Sequence, residues 1–387
     1  MKIAYLLGSL NRGGTETLLL DVFRNAKFNK LNAIGVYRKT GVLEKEFKES
    51  GILMHKLSVG KNKISYMLNL RKFLTKNKID IVHAQQPIDA FYAILATKGK
   101  NIKVLLTIHG YDFTEKKLGK FLLRFVIKRT NLNIYVSATQ RQYYQEKYNL
   151  KIDKQKVIYN GISFNKLDND LLPIQSNKSS FNSKIDKLHT ELQLSNKTFL
   201  IGAVGNFNYV RDQMTICRFL KLLNEQKVDF HFVFVGKKIE SSLELYNDCV
   251  CFCEENDLME VVSFLGLRND VPEILNELDA FIYSTNHDTF GIAVIEAMAV
   301  GIPVFVNDWE VMKETTHNGK YANLYKTKDE IDLLRIFMLF MDQKESFQIK
   351  AKEGAYFVRE KFNIENNIKN LKSLYRTLYK NRIRINK

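Results

Sequence analysis

The sequence predicts an α/β protein made of two doubly wound parallel-sheet domains. Three observations carry this. The chain has 387 residues, enough for two domains of ordinary size. Its apolar runs, among them KIAYLLG (2–8), VLLTIHG (104–110), FHFVFVG (230–236) and LDAFIYST (278–285), lack the alternation of half-exposed strands. Runs of this kind fit parallel strands covered on both faces by crossover helices. A strand, a Gly-containing turn and a helix open each half, at 2–25 and again from 199 to about 225, with a polar stretch at 163–196 between them. The expected division is 1–165, a linker at 166–196, 197–363, and a final helix with a basic tail at 364–387.

In the first half, KIAYLLG leads through Gly13-Gly14 into a helix over Thr15–Asn25. The spacing is not G-x-G-x-x-G, so a dinucleotide fingerprint is absent. NAIGVYR and LMHKL read as the next strands, followed by an amphipathic basic helix near 64–77. The strand IDIVHAQ (79–85) contains His83 near its end, and a helix starts at about Asp89. VLLTIHG ends near His109. A basic helix over about 115–129, the strand LNIYVS, a helix near 138–148 and the strand VIYNG (157–161) complete the half. His83 and His109 fall at carboxyl ends of strands, where open α/β sheets bind ligands. His83 reads more readily as a structural histidine.

The linker is rich in Ser, Asn, Lys and Asp, with a short helix expected at about 184–193. Asp168-Asn169-Asp170 has the form of a metal–nucleotide pair but lies in this linker rather than at a strand end, and is set aside. In the second half FLIGAVG is followed by Asn206-Phe207-Asn208-Tyr209-Val210-Arg211-Asp212-Gln213 and a helix. After FHFVFVG and Lys237-Lys238, a helix near 240–256 carries Cys249, Cys251 and Cys253. VVSFLGLRNDVPEIL (261–275) reads as strand, loop and helix. A loop containing Trp309 and helices near 328–342, 344–361 and 364–383 close the chain.

Composition narrows the function. With 45% hydrophobic and 26% charged residues the chain is that of a folded soluble protein. No run approaches the roughly 20 apolar residues of a membrane span. MKIAYLLGSL reads as a first strand rather than an export signal, because Asn11-Arg12 follows where a cleavage site would stand. The four cysteines lack Cys-x-x-Cys spacing, so buried thiols in a reducing cytoplasm are expected, and no metal site. The net charge of +17 is unevenly spread. Residues 1–160 hold 30 Lys and Arg against 11 Asp and Glu, 161–350 hold 19 against 28, and 351–387 hold 10 against 3. The basic first half suggests an anionic surface as partner. The acidic second half and the absence of a binding motif speak against nucleic acid.

The stretch most informative about chemistry is STNHDTFGIAVIEAMAVGIPVFV (284–306). It reads as a strand end, a loop, a helix opened by Phe290-Gly291-Ile292 and ended by Gly301-Ile302-Pro303, then a strand. Amide hydrogens at such a helix start can approach a phosphate closely. Glu296 stands on an otherwise apolar helix, and an acid there is costly without a partner. A ribose hydroxyl pair would be such a partner; backbone capping is the plainer alternative.

This stretch resembles the retaining glycosyltransferases of family 4, of the GT-B fold. Their pattern has two acids eight positions apart, with Phe-Gly between, then Glu-Ala-Met-Ala and Gly-x-Pro-Val. Here the acids are Asp288, where Glu is usual, and Glu296. The resemblance is also seen at 104–112, 157–162, 205–213 and 261–275. It implies two Rossmann-like domains facing each other across a cleft, with the C-terminal helix crossing back to the first. It also implies a nucleotide-sugar donor, with no metal or other cofactor required. The Gly13-Gly14 loop would approach the donor. His109 would line the sugar pocket. Arg211, standing where the family has Lys, would grip the diphosphate with paired donors. Asn206 stands where Arg is common. Backbone groups near Leu267 and Arg268 would contact the base, the amides of Phe290, Gly291 and Ile292 the phosphates, and Glu296 the ribose. Asp288 would contact sugar hydroxyls or stabilise the oxocarbenium-like sugar. His109, Asp288 and Arg211 are thus the expected catalytic set.

The expected reaction moves a hexose-type sugar, with a UDP-sugar as donor, to a saccharide or lipid-linked saccharide in cell-surface polysaccharide synthesis. The alternatives are a nucleotide-sugar epimerase of the same two-domain shape and a weakened sugar-binding relative. The basic helices KNKISYMLNLRKFLTKNK (61–78) and EKKLGKFLLRFVIKRT (115–130) mix cations with large apolar residues. They suit either an anionic membrane on its cytoplasmic side or a core stripe backed by a solvated basic face.

Overall fold

The computed structural model describes residues 1–111, 117–167, 187–195 and 197–384. The Asp168-Asn169-Asp170 triplet, most of the expected linker, the start of the second basic segment at 115–116 and the last three residues lie outside them.

The chain divides into two compact units, Met1–Ser163 with Phe362–Lys387, and Phe164–Lys361. The first alternates β1 (Ile3–Ser9), α1 (Gly14–Arg24), β2 (Ala33–Lys39), α2 (Glu44–Glu49), β3 (Leu53–Lys56), α3 (Lys63–Lys76), β4 (Ile81–Ala84), α4 (Pro87–Thr97), β5 (Lys103–Ile108), α5 (Lys117–Arg129), β6 (Leu132–Tyr135), α6 (Ala138–Tyr148) and β7 (Gln155–Val157). Its seven strands form a parallel sheet in the order β3-β2-β1-β4-β5-β6-β7. Successive residues of β1 serve opposite faces. Ile3, Tyr5 and Leu7 pack with α1 and α2, while Ala4 and Leu6 pack with α3 and α4. Burial on both faces is why the strands read as unbroken apolar runs.

The second unit contains α7 (Lys187–Glu191), β8 (Phe199–Val204), α8 (Gln213–Glu225), β9 (Phe230–Val235), α9 (Leu243–Glu255), β10 (Val262–Gly266), α10 (Val271–Glu277), β11 (Ala280–Tyr283), α11 (Ile292–Val300), β12 (Val304–Asn307), α12 (Glu310–Thr315), β13 (Asn323–Tyr325), α13 (Glu330–Asp342) and α14 (Lys344–Lys361). Its six strands run parallel in the order β10-β9-β8-β11-β12-β13.

The last helix, α15 (Ile364–Arg384), belongs to the first unit. It buries Ile364, Ile368, Leu371 and Tyr375, a stripe of helical spacing, against the face that also receives α1. The Tyr375 hydroxyl lies 2.6 Å from His83 Nδ1 and 2.7 Å from the Tyr5 hydroxyl, and His83 Nε2 lies 2.7 Å from Thr107 Oγ1. His83 is therefore a structural residue, as its reading from sequence favoured. Burial, and then the proximity of His109, push its pKa down to about 3, so the ring stays neutral.

Some elements differ from expectation. The strand expected at 157–161 ends at Val157, and Gly161 lies past it, with Ile364 Cα only 2.8 Å from where a β-carbon would sit. α2, α12 and the three-residue β13 were not anticipated, being too short to show a period. The cysteines divide by helical position. Cys249 and Cys253, one turn apart on α9, are buried with Cys217 of α8, whereas Cys251 is exposed, and all four are unpaired thiols. No group of His, Cys, Asp or Glu among the described residues is arranged to hold a metal.

Candidate active site

Both sheets have a topological switch point, where successive strands begin to be added in the opposite direction. It falls between β1 and β4 in the first and between β8 and β11 in the second. Loops at the carboxyl ends of such strands form ligand sites in open α/β sheets. Of the residues expected to carry chemistry, Gly13 and Gly14 follow β1, Asn206 and Arg211 follow β8, and Asp288 follows β11 on such loops, whereas His109 follows β5, Leu267 and Arg268 follow β10, and Glu296 lies within α11.

In the second unit the loop after β8 carries Arg211 and the loop after β11 carries Asp288. Hydrogen bonds to backbone carbonyls lace the two loops together. Asp212 N–H donates to Ser284 O at 3.2 Å, Asn286 N–H to Val210 O at 2.9 Å, and the Thr285 hydroxyl to Val210 O at 2.7 Å. The side chains then meet: Arg211 NH1 donates to Asp288 Oδ2 at 2.8 Å. The guanidinium lies 4.7 Å from the centre of the Tyr283 ring, and the Tyr283 hydroxyl bonds the same carboxylate oxygen. The other oxygen, Oδ1, accepts from the backbone of Thr289 at 2.7 Å and of Phe290 at 3.2 Å. Burial by itself would raise the Asp288 pKa. The Arg211 charge, the Tyr283 hydroxyl and the two amides outweigh it and hold the carboxyl below its usual range.

Two expectations change here. The Phe290 amide, assigned to a phosphate from sequence, is engaged by Asp288, and the Phe290 ring is buried. The helix opens at Ile292 rather than Phe290, because Gly291 caps it with φ of +80°, in the left-handed region open to glycine. Within α11 only Ile292 and Glu296 escape full burial, and they stand one turn apart on one face. Glu296 is thus presented on the strip of α11 that remains open.

The remaining residues of this unit are placed as follows. Asn206 is exposed, and its Oδ1 accepts from the Lys237 backbone at 2.9 Å. Lys238 lies 5.0 Å from the Tyr246 ring centre, so Lys237-Lys238 acts as a partner strip for the loop after β8. Leu267 is exposed, whereas the Arg268 side chain joins Glu191 at 2.6 Å and Asp270 at 2.7 Å, tying α7 to the start of α10. That leaves backbone rather than side chain for the base contact expected at Arg268.

In the first unit Gly13 caps α1 in an extended conformation and Gly14 is its first, exposed residue. A β-carbon at Gly13 would fall 2.8 Å from a Glu16 carboxylate oxygen, which places an acid beside this loop. His109 follows β5 and lies partly buried, with Nε2 2.9 Å from Gln85 Oε1. Burial pushes its pKa down to about 4, so the ring is neutral at physiological pH. Sequence reasoning missed Tyr283 and Gln85. Both stand at the ends of strands flanking a switch point, and that position was the available signal.

Two family profiles match the chain. "Glycosyltransferase Family 4" covers residues 38–166 and "Glycosyl transferases group 1" covers 184–356. The chain belongs to glycosyltransferase family 4.

Among curated relatives of this glycosyltransferase, an Escherichia coli UDP-Gal:α-D-GlcNAc-diphosphoundecaprenol α-1,3-galactosyltransferase is 24% identical over 319 residues, covering 80% of this chain and 78% of the relative. The N-acetyl-α-D-glucosaminyl L-malate synthase of Bacillus anthracis is 24% identical over 314 residues, covering 79% and 75%. Among solved structures, Anabaena HepE in complex with UDP and glucose superposes with a TM-score of 0.82 at 18% identity, covering 97% of this chain and 99% of that one. The fold is GT-B.

Proposed function

We propose that the enzyme is a retaining hexosyltransferase that uses a nucleotide sugar, with UDP-sugar the expected donor, and acts on a saccharide or lipid-linked saccharide in cell-surface polysaccharide synthesis. The observation that carries this reading is the set Arg211, Asp288 and Glu296 at the switch point of the second sheet. Relatives that carry UDP-sugars or undecaprenol-linked sugars in their names support it.

In the transfer, the bond from the anomeric carbon to the diphosphate breaks and negative charge grows on the leaving oxygen. Arg211 commits one N–H to Asp288, and its remaining donors can meet that charge. Glu296, on the open strip of α11, would hold the ribose. The acceptor oxygen bonds to the anomeric carbon on the side the diphosphate leaves, and its proton passes to the departing phosphate oxygen. Cationic and amide donors carry the phosphate charge in this reading, with no divalent ion required. Thermal-shift screening against UDP-, GDP- and ADP-sugars should give a selective stabilisation by one base, by mass action. Transfer from that donor should persist in EDTA. Product formed without any acceptor would instead identify an epimerase, and no turnover with any donor would overturn the assignment.

We place the enzyme on the cytoplasmic membrane surface. No described helix is long and apolar enough to cross a membrane. α3 and α5 each bury an inner stripe, Tyr66, Leu70 and Leu74 in one and Leu123, Val126 and Ile127 in the other, as the plainer alternative required. Yet they also expose Ile64, Leu68, Leu118 and Phe121 among lysines, on the same side of the sheet. Lys/Arg near an anionic surface contribute about 1 kcal/mol each. Reversing charges at Lys117, Lys120, Arg124 and Lys128 should abolish binding to vesicles containing phosphatidylserine, and binding should weaken with salt. Binding indifferent to both changes would end the membrane assignment.

A further inference from the structure

The site contains a residue with no role in the reading above. Gln85 follows β4, the strand beside β1 at the switch point, and its backbone N–H donates to Leu6 O at 3.2 Å. The residue is only 5% exposed. Gln85 Oε1 lies 2.9 Å from His109 Nε2, and a carbonyl oxygen can only accept. Nε2 therefore carries the ring proton, and the neutral imidazole has its lone pair on Nδ1.

The other end of the same amide is unsatisfied. Gln85 Nε2 is buried and has no hydrogen-bond partner among the described residues. Gln85 and His109 both line a cavity of about 40 Å³, whose wall also includes Asn160 and Asn367, and Asn367 Oδ1 is likewise buried without a partner. A cavity needs about 10–15 Å³ for each oxygen-sized occupant, so this one has room for about three or four. The rest of the wall is largely apolar, so the amides and the imidazole are the groups that can hold a polar occupant; buried amide hydrogens are almost always satisfied, and an unmet one lining such a cavity points to an oxygen that enters it.

We propose that Gln85 is a positioning residue: its Oε1 holds His109 in the Nε2–H tautomer, while its Nε2–H donates to a hydroxyl oxygen in the adjoining cavity. The oxygen is that of a sugar or of a water. This rests on His109 being part of the sugar pocket. The amide then couples occupancy of the cavity to the orientation of the imidazole.

The test uses the full chain labelled with ¹⁵N, with the His109 ring assigned by comparison with His109→Gln. Long-range ¹H–¹⁵N correlation should show the Nε2–H tautomer in the wild type. Gln85→Leu should allow the Nδ1–H tautomer to appear and lower kcat/KM by about ten- to a hundredfold, the range seen when an orienting partner is lost. Gln85→Glu preserves size and the acceptor but adds a charge. It should keep the Nε2–H tautomer, raise the His109 pKa towards neutrality, and add an ionisation to the kcat/KM profile between about pH 5 and 8. A rise in KM for donor or acceptor in Gln85→Leu identifies the cavity oxygen as the sugar's; a fall in kcat alone identifies it as water's. A wild-type Nδ1–H tautomer, or an unchanged tautomer in Gln85→Leu with an unchanged pH profile in Gln85→Glu, overturns the proposal. Absence of turnover in the wild type would count against the transferase reading and leave the ring measurements interpretable.

Discussion

Arg211→Ala is expected to lower kcat/KM by about 10²–10³-fold, the loss found when one preorganised donor to a developing oxyanion is removed. It should also change how stability depends on pH. In the wild type the Asp288 carboxyl lies below its usual pKa. A carboxyl depressed on folding contributes stability that is complete at neutral pH and is lost only as pH falls through the folded pKa. The variant keeps the burial of Asp288, the Tyr283 hydroxyl and the two amides, but loses the guanidinium. Burial then dominates, the folded carboxyl binds its proton more tightly than in the unfolded chain, and stability falls as pH rises. The drop in urea midpoint from wild type to variant should be larger at pH 8 than at pH 5, the pH dependence contributed by the buried neutral His83 and His109 being common to both proteins. Breaking a fully buried pair costs about 3–5 kcal/mol, and the cost here should sit at or below the low end, since the two side chains retain 19% and 13% exposure. Adding Asp288→Asn should restore stability and not activity. A variant with wild-type kcat/KM would remove Arg211 from the mechanism.

Glu296→Gln should lower kcat/KM by well over tenfold, and mostly through KM. A carboxylate can accept from two adjacent hydroxyls at once, whereas an amide offers one oxygen and no charge. Hydrogen bonds to a charged group are worth about 1.5–3 kcal/mol, which corresponds to roughly ten- to 150-fold. The ribose does not change during transfer, so its contact should be equal in ground and transition states, and its loss should appear as uniform binding. The dissociation constant of UDP measured by calorimetry should rise in parallel with KM. Because Gln preserves the volume of Glu296 on an α11 that is otherwise apolar, the fold should survive. Unaltered UDP affinity in this variant would take the ribose role from Glu296.

The fold was largely readable from local pattern. Positions 330–342, 344–361 and 138–148 form the helices their periodicity suggested, to within a residue or two. The strands buried on both faces read as strands because both faces of each sheet are covered. Asp288, Arg211 and Glu296 could be singled out because an acid in an apolar helix and a cation after a strand-end glycine are anomalies visible without coordinates. What each anomaly touches was not visible. Arg211 was assigned to a diphosphate alone and proves to be held by Asp288 across 77 positions of chain. The Phe290 amide was assigned to a phosphate and is engaged by the acid two residues before it. Lys237-Lys238 had no reading until the Asn206 contact and the Tyr246 ring were placed beside it.

Strand, helix and turn choices here follow from forces acting over a few residues: apolar periodicity, glycine's access to positive φ, and proline's missing N–H. These the amino-acid order determined on its own, together with two sheets of parallel strands and the stretch from 284 to 306 that bears the family pattern. The pairings that tune the chemistry depend on which strand ends become neighbours at a switch point, and crossover connections bring together positions far apart in the chain. Tyr283 under Arg211, Gln85 against His109, and Tyr375 reaching His83 across 292 positions are therefore decisions of the tertiary structure. A buried polar atom takes its partner from whatever the packed sheet delivers.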